Sequence, residues 1–190
     1  MESLKKRILD EGRVVSEEVL KVDSFLNHQL DIELFQDIGK EFFDRFKDKN
    51  ITRILTIEAS GIAIASIAAM YFKVPVVFAK KTESRNLDKE TYKSVVYSFT
   101  KEKYYDIQVS KRYIHKGDNV LILDDFLANG KAALALIDLV EQAQANVSGV
   151  GIVIEKGFQN GGNKLREAGV NLESLVIVDR FKHGKITFIN

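Results

Sequence analysis

The 190-residue sequence contains no cysteine, and this absence excludes several kinds of chemistry at once. The chain can form no disulfide, offers no thiolate nucleophile and cannot build a zinc site from cysteine ligands. The three histidines, His28, His115 and His183, are widely separated and form no HxH or HxxxH pair, so we expect no metal held by the protein itself. A chain without cysteine fits a reducing compartment, and we expect this protein in the cytoplasm.

The sequence also has little proline and a small net charge. Pro75 is the only proline, and neither an internal repeat nor a low-complexity linker interrupts the chain, so we expect one domain over residues 1–190. The 28 basic and 27 acidic residues leave a net charge of +1, which provides no global attraction to nucleic acid or to an anionic membrane. No apolar run resembles a membrane span or a signal peptide, so we expect neither nucleic acid nor membrane as a partner.

Short, continuously apolar segments alternate with stretches of helical periodicity along most of the chain. Such segments are typical of a parallel sheet whose two faces are both covered by helices. The sequence therefore predicts an α/β fold, doubly wound, with strands at residues 54–57, 75–79, 120–123, 149–154 and 175–178. We expect helices at residues 4–9, 31–47, 62–72 and 131–144, and an extended segment at residues 19–25.

Residues 80–100 interrupt this alternation. The segment from Lys80 to Lys93 is rich in charged and turn-forming residues, and Ser94–Thr100 alternates like a half-exposed strand. A long excursion of this kind is often a mobile cover over an active site, but a solvated hairpin has the same sequence features. The pattern alone favours neither interpretation.

The segment from Val120 to Ala132 carries the clearest functional signal. Four apolar residues predict a central strand, Asp124 and Asp125 follow at its carboxyl end, and a loop of small residues leads into a helix. Ligands of open α/β sheets bind at such strand ends, and a helix start offers backbone N–H groups to an anion. Carboxylates accept hydrogen bonds from sugar hydroxyls, so we expect a ribose on the acid pair. We expect its phosphate on the following loop, Ala128, Asn129, Gly130, Lys131 and Ala132. The alternative is an acidic strand end with an ordinary helix-capping loop.

This segment resembles the phosphoribosyl pyrophosphate signature of the type I phosphoribosyltransferases. Asp124–Gly130 is similar to the form found in the xanthine branch of that family, and so are Lys21–Gln29 and Ile152–Lys156. The commoner loop of the family reads Thr-Gly-Gly-Thr where this chain has Ala-Asn-Gly-Lys, which removes two hydroxyl donors but matches the xanthine branch. The resemblance implies a central, mostly parallel sheet flanked by helices. It also implies a small N-terminal hood over about residues 1–50, a core over about 51–190 and a flexible loop over about 80–100.

The resemblance implies that two further segments bind pyrophosphate. In the family, the loop after the first core strand binds it and often contains a strained or cis peptide; here that loop is Glu58, Ala59, Ser60 and Gly61. The end of the next strand supplies basic residues, often across a dimer interface, and here these are Lys80 and Lys81. An ordinary strand-to-helix turn and a solvated basic pair are the alternatives. The family also implies a homodimer, and Mg²⁺ bound through phosphoribosyl pyrophosphate.

The resemblance places a purine beneath the N-terminal segment. In the xanthine branch, the residues matching Leu20, Asn27 and Lys156 contact the base. Leucine offers an apolar surface to the ring, asparagine offers both a donor and an acceptor, and a lysine donor suits an oxo group and mismatches an amino group. Phe158 either stacks on the base or belongs to the core.

The implied reaction transfers the 5-phosphoribosyl group from phosphoribosyl pyrophosphate to xanthine, giving xanthosine 5′-monophosphate and pyrophosphate in purine salvage. Two alternatives stay open. A hypoxanthine or guanine phosphoribosyltransferase would recognise the same 6-oxo group, and a non-catalytic purine regulator that senses phosphoribosyl pyrophosphate would share the fold. The regulator is disfavoured because the roughly fifty residues before the first core strand show no basic recognition helix.

Overall fold

The computed structural model describes residues 1–81, 90–98, 103–182 and 185–189. Its helices are α1 (Glu2–Glu11), α2 (Ile32–Phe46), α3 (Ser60–Phe72), α4 (Lys131–Gln142) and α5 (Gly161–Glu167). Its strands are β1 (Arg13–Val14), β2 (Leu20–Lys21), β3 (Arg53–Ile57), β4 (Val76–Ala79), β5 (Thr91–Ser98), β6 (Lys103–Ser110), β7 (Asn119–Leu127), β8 (Asn146–Lys156), β9 (Leu172–Lys182) and β10 (Lys185–Ile189).

Within these ranges, the main sheet contains six strands in the order β10-β9-β8-β7-β3-β4. All neighbouring strands are parallel except β9 and β10, which are antiparallel. The chain runs from β3 to β4 at one edge and then returns to β7 on the other side of β3. The direction of winding therefore reverses between β3 and β7, and open α/β sheets bind ligands at the carboxyl ends of strands at such a switch point.

Helices cover both faces of this sheet. Leu121 and Leu123 of β7 pack into one hydrophobic cluster, with α1, α2 and α3, and Val120 and Ile122 pack into the other, with α4. Successive side chains of a strand point to opposite faces, so the continuous apolar run of β7 is buried on both sides. This arrangement confirms the predicted α/β class and the mostly parallel sheet.

The N-terminal segment differs in part from its expected form. Asp31 caps α2 as predicted, because its Oδ1 accepts from the backbone N–H of Leu34 at 3.1 Å. The prediction that residues 19–25 are extended is wrong, since only β2 is a strand and residues 23–27 form a single π-helical turn. That turn buries the adjacent side chains Phe25 and Leu26 together, whereas an extended chain would point them to opposite sides. α2, which we expected within the hood, packs against α3 in the layer that covers the sheet.

The predicted excursion is an antiparallel hairpin where the structure describes it. β5 pairs with β6 over residues 91–98 and 103–110, and residues 82–89 and 99–100 of the expected loop lie outside the described residues. The hairpin rests on α4, where Gln142 donates to the Lys93 carbonyl at 2.8 Å and accepts from the Lys93 N–H at 3.3 Å. At the other end of the chain, β10 forms the sheet edge beside β9. Over the ranges that the structure describes, no helix is both long and apolar enough to cross a membrane.

Candidate active site

A cleft of about 780 Å³ opens beside the carboxyl ends of β7 and β8. Its walls combine the end of β7, the following loop and start of α4, the end of β8, and residues of the hood and hairpin. A cavity of this size suits a ligand as large as a nucleotide. The predicted phosphate loop, residues 128–132, and Lys156 all line it.

The acid pair at the end of β7 is held by its own backbone. The Asp125 N–H donates to Asp124 Oδ1 at 3.0 Å, and the Phe126 N–H donates to Asp125 Oδ1 at 2.9 Å. Asp124 is buried, with 6% of its surface exposed, whereas Asp125 is half-buried. Burial, and then the neighbouring Asp125 carboxylate, raise the pKa of Asp124 well above its usual range. The strand is also longer than predicted, because it continues through the acid pair to Leu127.

The phosphate loop (residues 128–132) ends in an open helix start. Gly130 is the N-cap of α4 and has a φ of 80°, a left-handed conformation that glycine adopts without steric cost. No side chain in the described part of the chain caps α4, and the first backbone N–H groups of a helix have no partner within the helix itself. The positive end of the helix dipole lies there too, which makes the loop suitable for a phosphate.

The predicted pyrophosphate loop, residues 58–61, lies at the end of β3 beside the acid pair. The Glu58–Ala59 peptide is cis, and α3 begins at Ser60 without a side-chain cap. Gly61 is buried so tightly that an added Cβ would overlap the Thr56 hydroxyl and lie 3.3 Å from Asp124 Oδ1. The switch point thus brings two open helix starts, those of α3 and α4, to one acid pair.

The two predicted lysines at the end of the next strand lie in different surroundings. The Lys81 N–H donates to Glu58 Oε1 at 2.6 Å, and the Lys81 ammonium lies 5.5 Å from the centre of the Tyr105 ring, so Lys81 belongs to the site. Lys80 is held by two backbone hydrogen bonds to Gln108 and lines a second cavity of about 400 Å³ at the β4 edge. Consecutive residues of an extended chain point in opposite directions, which explains the split.

The predicted purine-binding residues also fall in different surroundings. Asn27 Nδ2 donates to Asp125 Oδ2 at 2.6 Å, so the hood reaches the acid pair directly. Lys156 Nζ donates to the Glu18 carbonyl at 2.7 Å and lies 5.8 Å from the centre of the Phe126 ring. Burial lowers the pKa of Lys156, and the nearby Glu18 carboxylate opposes that shift. Leu20 is buried in the hood core at 6% exposure, and Glu18 and Val19 line the cleft instead.

The chain is also similar to known proteins. Residues 22–168 match the family model of the phosphoribosyl transferase domain. The chain belongs to the phosphoribosyltransferase family. The xanthine phosphoribosyltransferase of Clostridium novyi is 63% identical over 190 residues, 100% of both chains, and that of Clostridioides difficile is 59% identical over 189 residues, 99% of this chain and 100% of its own. The adenine phosphoribosyltransferase of Rhodothermus marinus, at 23% identity and a TM-score of 0.75 over 93% of this chain and 99% of its own, shares the fold.

Some residues in the cleft of this phosphoribosyltransferase were not predicted from its sequence. Tyr105 of β6 lines the cleft, and burial, together with the charge of Asp124, raises its pKa. Gln159 also lines the cleft, and its Oε1 is buried with no hydrogen-bond partner among the residues that the structure describes. Phe158 is 37% exposed, lines the cleft and packs edge-to-face on Phe181, with 5.2 Å between the ring centres. Its stacking on a base stays a prediction. Tyr105 lies beyond the predicted excursion at residues 80–100, and no sequence pattern indicated that it faces the site.

Proposed function

We propose that this phosphoribosyltransferase transfers the 5-phosphoribosyl group from phosphoribosyl pyrophosphate to xanthine. The observation that carries the proposal is that the phosphate loop at the start of α4 and Lys156 line one cleft, and that the acid pair directly precedes the β7 residues Phe126 and Leu127, which line it too. The names of the relatives that are 59% and 63% identical over nearly the full chain support xanthine as the base. The products would be xanthosine 5′-monophosphate and pyrophosphate, which makes this a purine salvage enzyme.

In this proposal, Asp124 and Asp125 bind the ribose hydroxyls and the phosphate loop binds the 5′-phosphate. The two carboxylates accept hydrogen bonds from hydroxyls, and the first N–H groups of α4 donate to the phosphate. The ribose would replace the amide of Asn27 on Asp125 Oδ2, because both donate to the same oxygen. Binding of the sugar would therefore release the Asn27 side chain for the base.

The base lies between the end of β8 and the hood in the same proposal. The Lys156 ammonium donates to the Glu18 carbonyl in the unliganded protein, so an oxo group of the purine would take over a donor that is already aimed at an acceptor. Adenine presents an amino group at the corresponding edge, which cannot accept a hydrogen bond from that partly buried ammonium. The site is therefore suited to 6-oxo purines, and Asn27 adds a donor and an acceptor for a second edge.

The reaction breaks the bond from the anomeric carbon to pyrophosphate and forms a bond from that carbon to a purine nitrogen. Asp124 and Asp125 would orient the ribose and favour the positive charge that develops on it. Ser60 and the start of α3 would hold the pyrophosphate, with Lys81 opposing its charge. Val96 and Tyr105 form a wall of the cleft, and we propose that the excursion at residues 80–100 excludes water there.

Magnesium fits this donor set. Mg²⁺ prefers oxygen ligands and retains several waters, and the carboxylates of Asp124, Asp125 and Glu58 are oxygen donors at neighbouring strand ends. In the part of the chain that the structure describes, no three or more acidic or histidine side chains cluster closely enough to enclose an ion. We propose that the ion enters on the diphosphate, where it would neutralise charge on the leaving group.

The test measures turnover with phosphoribosyl pyrophosphate, Mg²⁺ and each of xanthine, guanine, hypoxanthine and adenine. Pyrophosphate release reports the rate. We expect xanthine to be preferred by kcat/KM. Preference for guanine or hypoxanthine would leave the reaction in place and refute the base assignment. Binding of phosphoribosyl pyrophosphate without turnover of any base would support the regulator instead.

A lysine variant examines the base site directly. We expect Lys156→Met to raise KM for xanthine by about tenfold to a hundredfold, because a charged hydrogen bond contributes about 1.5–3 kcal/mol. KM for phosphoribosyl pyrophosphate should change little. Lys164→Met, the same substitution at an exposed position of α5, is the matched control. An equal rise in KM for both substrates would contradict the assignment of Lys156 to the base.

A further inference from the structure

The start of α5 lies directly against the phosphate loop. The Gly161 N–H donates to the Ala128 carbonyl at 3.0 Å. A Cβ added to Gly161 would collide with that carbonyl oxygen and lie 2.6 Å from the Gly130 nitrogen, and a Cβ added to Gly130 would lie 3.2 Å from Gly161 Cα. The two backbones are therefore in contact at a distance that only glycine permits.

The next glycine rests on an ion pair whose carboxylate is buried and whose guanidinium is 40% exposed. Glu155 is 3% exposed, and its two carboxylate oxygens accept from the two terminal nitrogens of Arg166, each at 2.7 Å. The Ser174 hydroxyl also donates to Glu155. A Cβ added to Gly162 would overlap Glu155 Oε1 and lie 2.5 Å from Arg166 Nη1. The carboxylate and guanidinium thus fill the space that a side chain at this position would need.

The ion pair also connects the phosphate loop to the end of β8. Glu155 pairs across the sheet with Leu127, the residue that immediately precedes the phosphate loop. Glu155 and Lys156 are consecutive residues of one strand, so their side chains point to opposite faces of the sheet. Lys156 faces the cleft, and Glu155 holds α5 on the far side.

Fold stability alone does not account for such a pair. An ion pair with an exposed partner usually contributes only about 0–1 kcal/mol to stability, whereas a bidentate arginine–carboxylate pair fixes geometry closely. The group that this pair contacts is Gly162, and the glycine before it contacts the loop whose backbone we assign to the phosphate.

We propose that Gly161, Gly162, Glu155 and Arg166 form a positioning clamp for the phosphate loop. The clamp does not touch the substrate. It sets the direction of the backbone N–H groups at residues 128–132 by giving the loop a rigid backing of main chain instead of side chain. This inference rests on the proposed function in one respect, namely that the loop binds the 5′-phosphate.

The first experiment measures the dissociation constant for ribose 5-phosphate, which requires the phosphate loop but neither base nor pyrophosphate. We expect Gly161→Ala to weaken binding about tenfold or more, because misplacing several N–H donors weakens charge-assisted hydrogen bonds. Asn163→Ala, at an exposed position of the same helix, is the control and should bind as the wild type does. Unchanged binding in Gly161→Ala, or a wild type that does not bind ribose 5-phosphate, would overturn the proposal.

A second pair of variants separates positioning from simple stabilisation. Arg166→Lys keeps the charge but loses the bidentate contact, and it should raise KM for phosphoribosyl pyrophosphate while KM for xanthine stays near the wild-type value. The double variant, Glu155→Met with Arg166→Met, keeps the side-chain volume and leaves no unpaired charge. It should show the same difference between the two KM values. If the clamp served only the fold, these variants would have a lower Tm and unchanged KM values for both substrates. Absence of xanthine turnover in the wild type would refute the proposed base without affecting the ribose 5-phosphate result.

Discussion

Asp124 and Asp125 are adjacent in the sequence but lie in different surroundings. Asp124 is buried at the end of β7 and Asp125 is half-buried beside Asn27. Burial, and then the charge of Asp125, raise the pKa of Asp124, so the ionised form of this residue opposes folding. A ribose-binding role explains why a carboxylate stands there despite that cost, since active sites often retain groups that destabilise the fold.

We expect Asp124→Asn to raise the free energy of unfolding at neutral pH by about 1–3 kcal/mol, the penalty of an uncompensated buried polar group. Asparagine keeps the acceptor for the Asp125 N–H and removes the charge. Tm should rise by about 2–4 °C per kcal/mol, and kcat/KM should fall about tenfold to a hundredfold with the loss of a charged acceptor for ribose. Thermal melts and initial rates provide both measurements.

The pH dependence of the difference in Tm between Asp124→Asn and the wild type identifies the cause of that difference. The pKa of Asp124 is higher in the folded than in the unfolded state, so protonation stabilises the fold fully below the unfolded pKa, and this stabilisation is lost as pH rises through the folded pKa. The Tm advantage of Asp124→Asn should therefore be small in acid and grow with pH across that interval. An advantage that is constant with pH, or one shared by Asp37→Asn on the exposed face of α2, would argue against burial of charge as the origin.

At the scale of elements, the site depends on how closely helix starts approach strand ends. α3 begins next to the acid pair, and Gly61 in its first turn leaves no room for a Cβ between Thr56 and Asp124. In the proposed function, the N–H groups at this helix start would reach a diphosphate because the helix lies so close to β3. Small residues at such positions therefore serve the site and not the helix, in which glycine is an unfavourable residue.

We expect Gly61→Ala to destabilise the protein by about 1–3 kcal/mol through overpacking, although glycine to alanine within a helix usually stabilises by up to about 1 kcal/mol. KM for phosphoribosyl pyrophosphate should also rise, because the displaced helix start would no longer meet the pyrophosphate. Chemical denaturation and steady-state kinetics measure the two effects. Ser66→Ala on the exposed side of α3 is the control, and a stabilised Gly61→Ala variant would show that the helix has room to move.

At the scale of the whole molecule, β4 is an edge strand of the six-stranded sheet among the residues that the structure describes. Phe78 of that strand is 38% exposed and Tyr113 nearby is 54% exposed, and both line the second cavity with Lys80. An edge strand with exposed aromatic residues is a surface that proteins usually cover. A second copy of this chain would cover it and would place Lys80 at the interface, which agrees with the homodimer that the family resemblance implies.

We expect size-exclusion chromatography with light scattering to give a mass twice that of the 21.5 kDa chain. Phe78→Asp should shift it toward the monomer and make Tm depend less on protein concentration, because the linkage between association and folding would be lost. Leu9→Asp, at an apolar position of α1 that is 56% exposed, should leave the mass unchanged. A wild-type monomer at micromolar concentration would contradict the homodimer.

Local pattern determined much of this protein. The apolar run of β7, the acid pair and the glycine before α4 lie within thirteen residues of Val120–Ala132, so spacing alone predicted the strand end, the open helix start and their chemistry. The parallel sheet followed from the same short-range signal, because strands buried on both faces must be apolar throughout. The family resemblance added the residues of the hood and of the pyrophosphate loop.

Only the tertiary structure decided which distant residues meet. Asn27 contacts Asp125 across 98 positions, and Tyr105 approaches the acid pair from a hairpin whose aromatic residues look equivalent in the sequence. Which of Lys80 and Lys81 faces the site, and the π-helical turn that buries Phe25, follow from contacts that local propensity does not contain. The contact of Gly161 with the phosphate loop is of the same kind. Periodicity reports which side of an element is buried, whereas the packing of the whole chain determines which residues face each other.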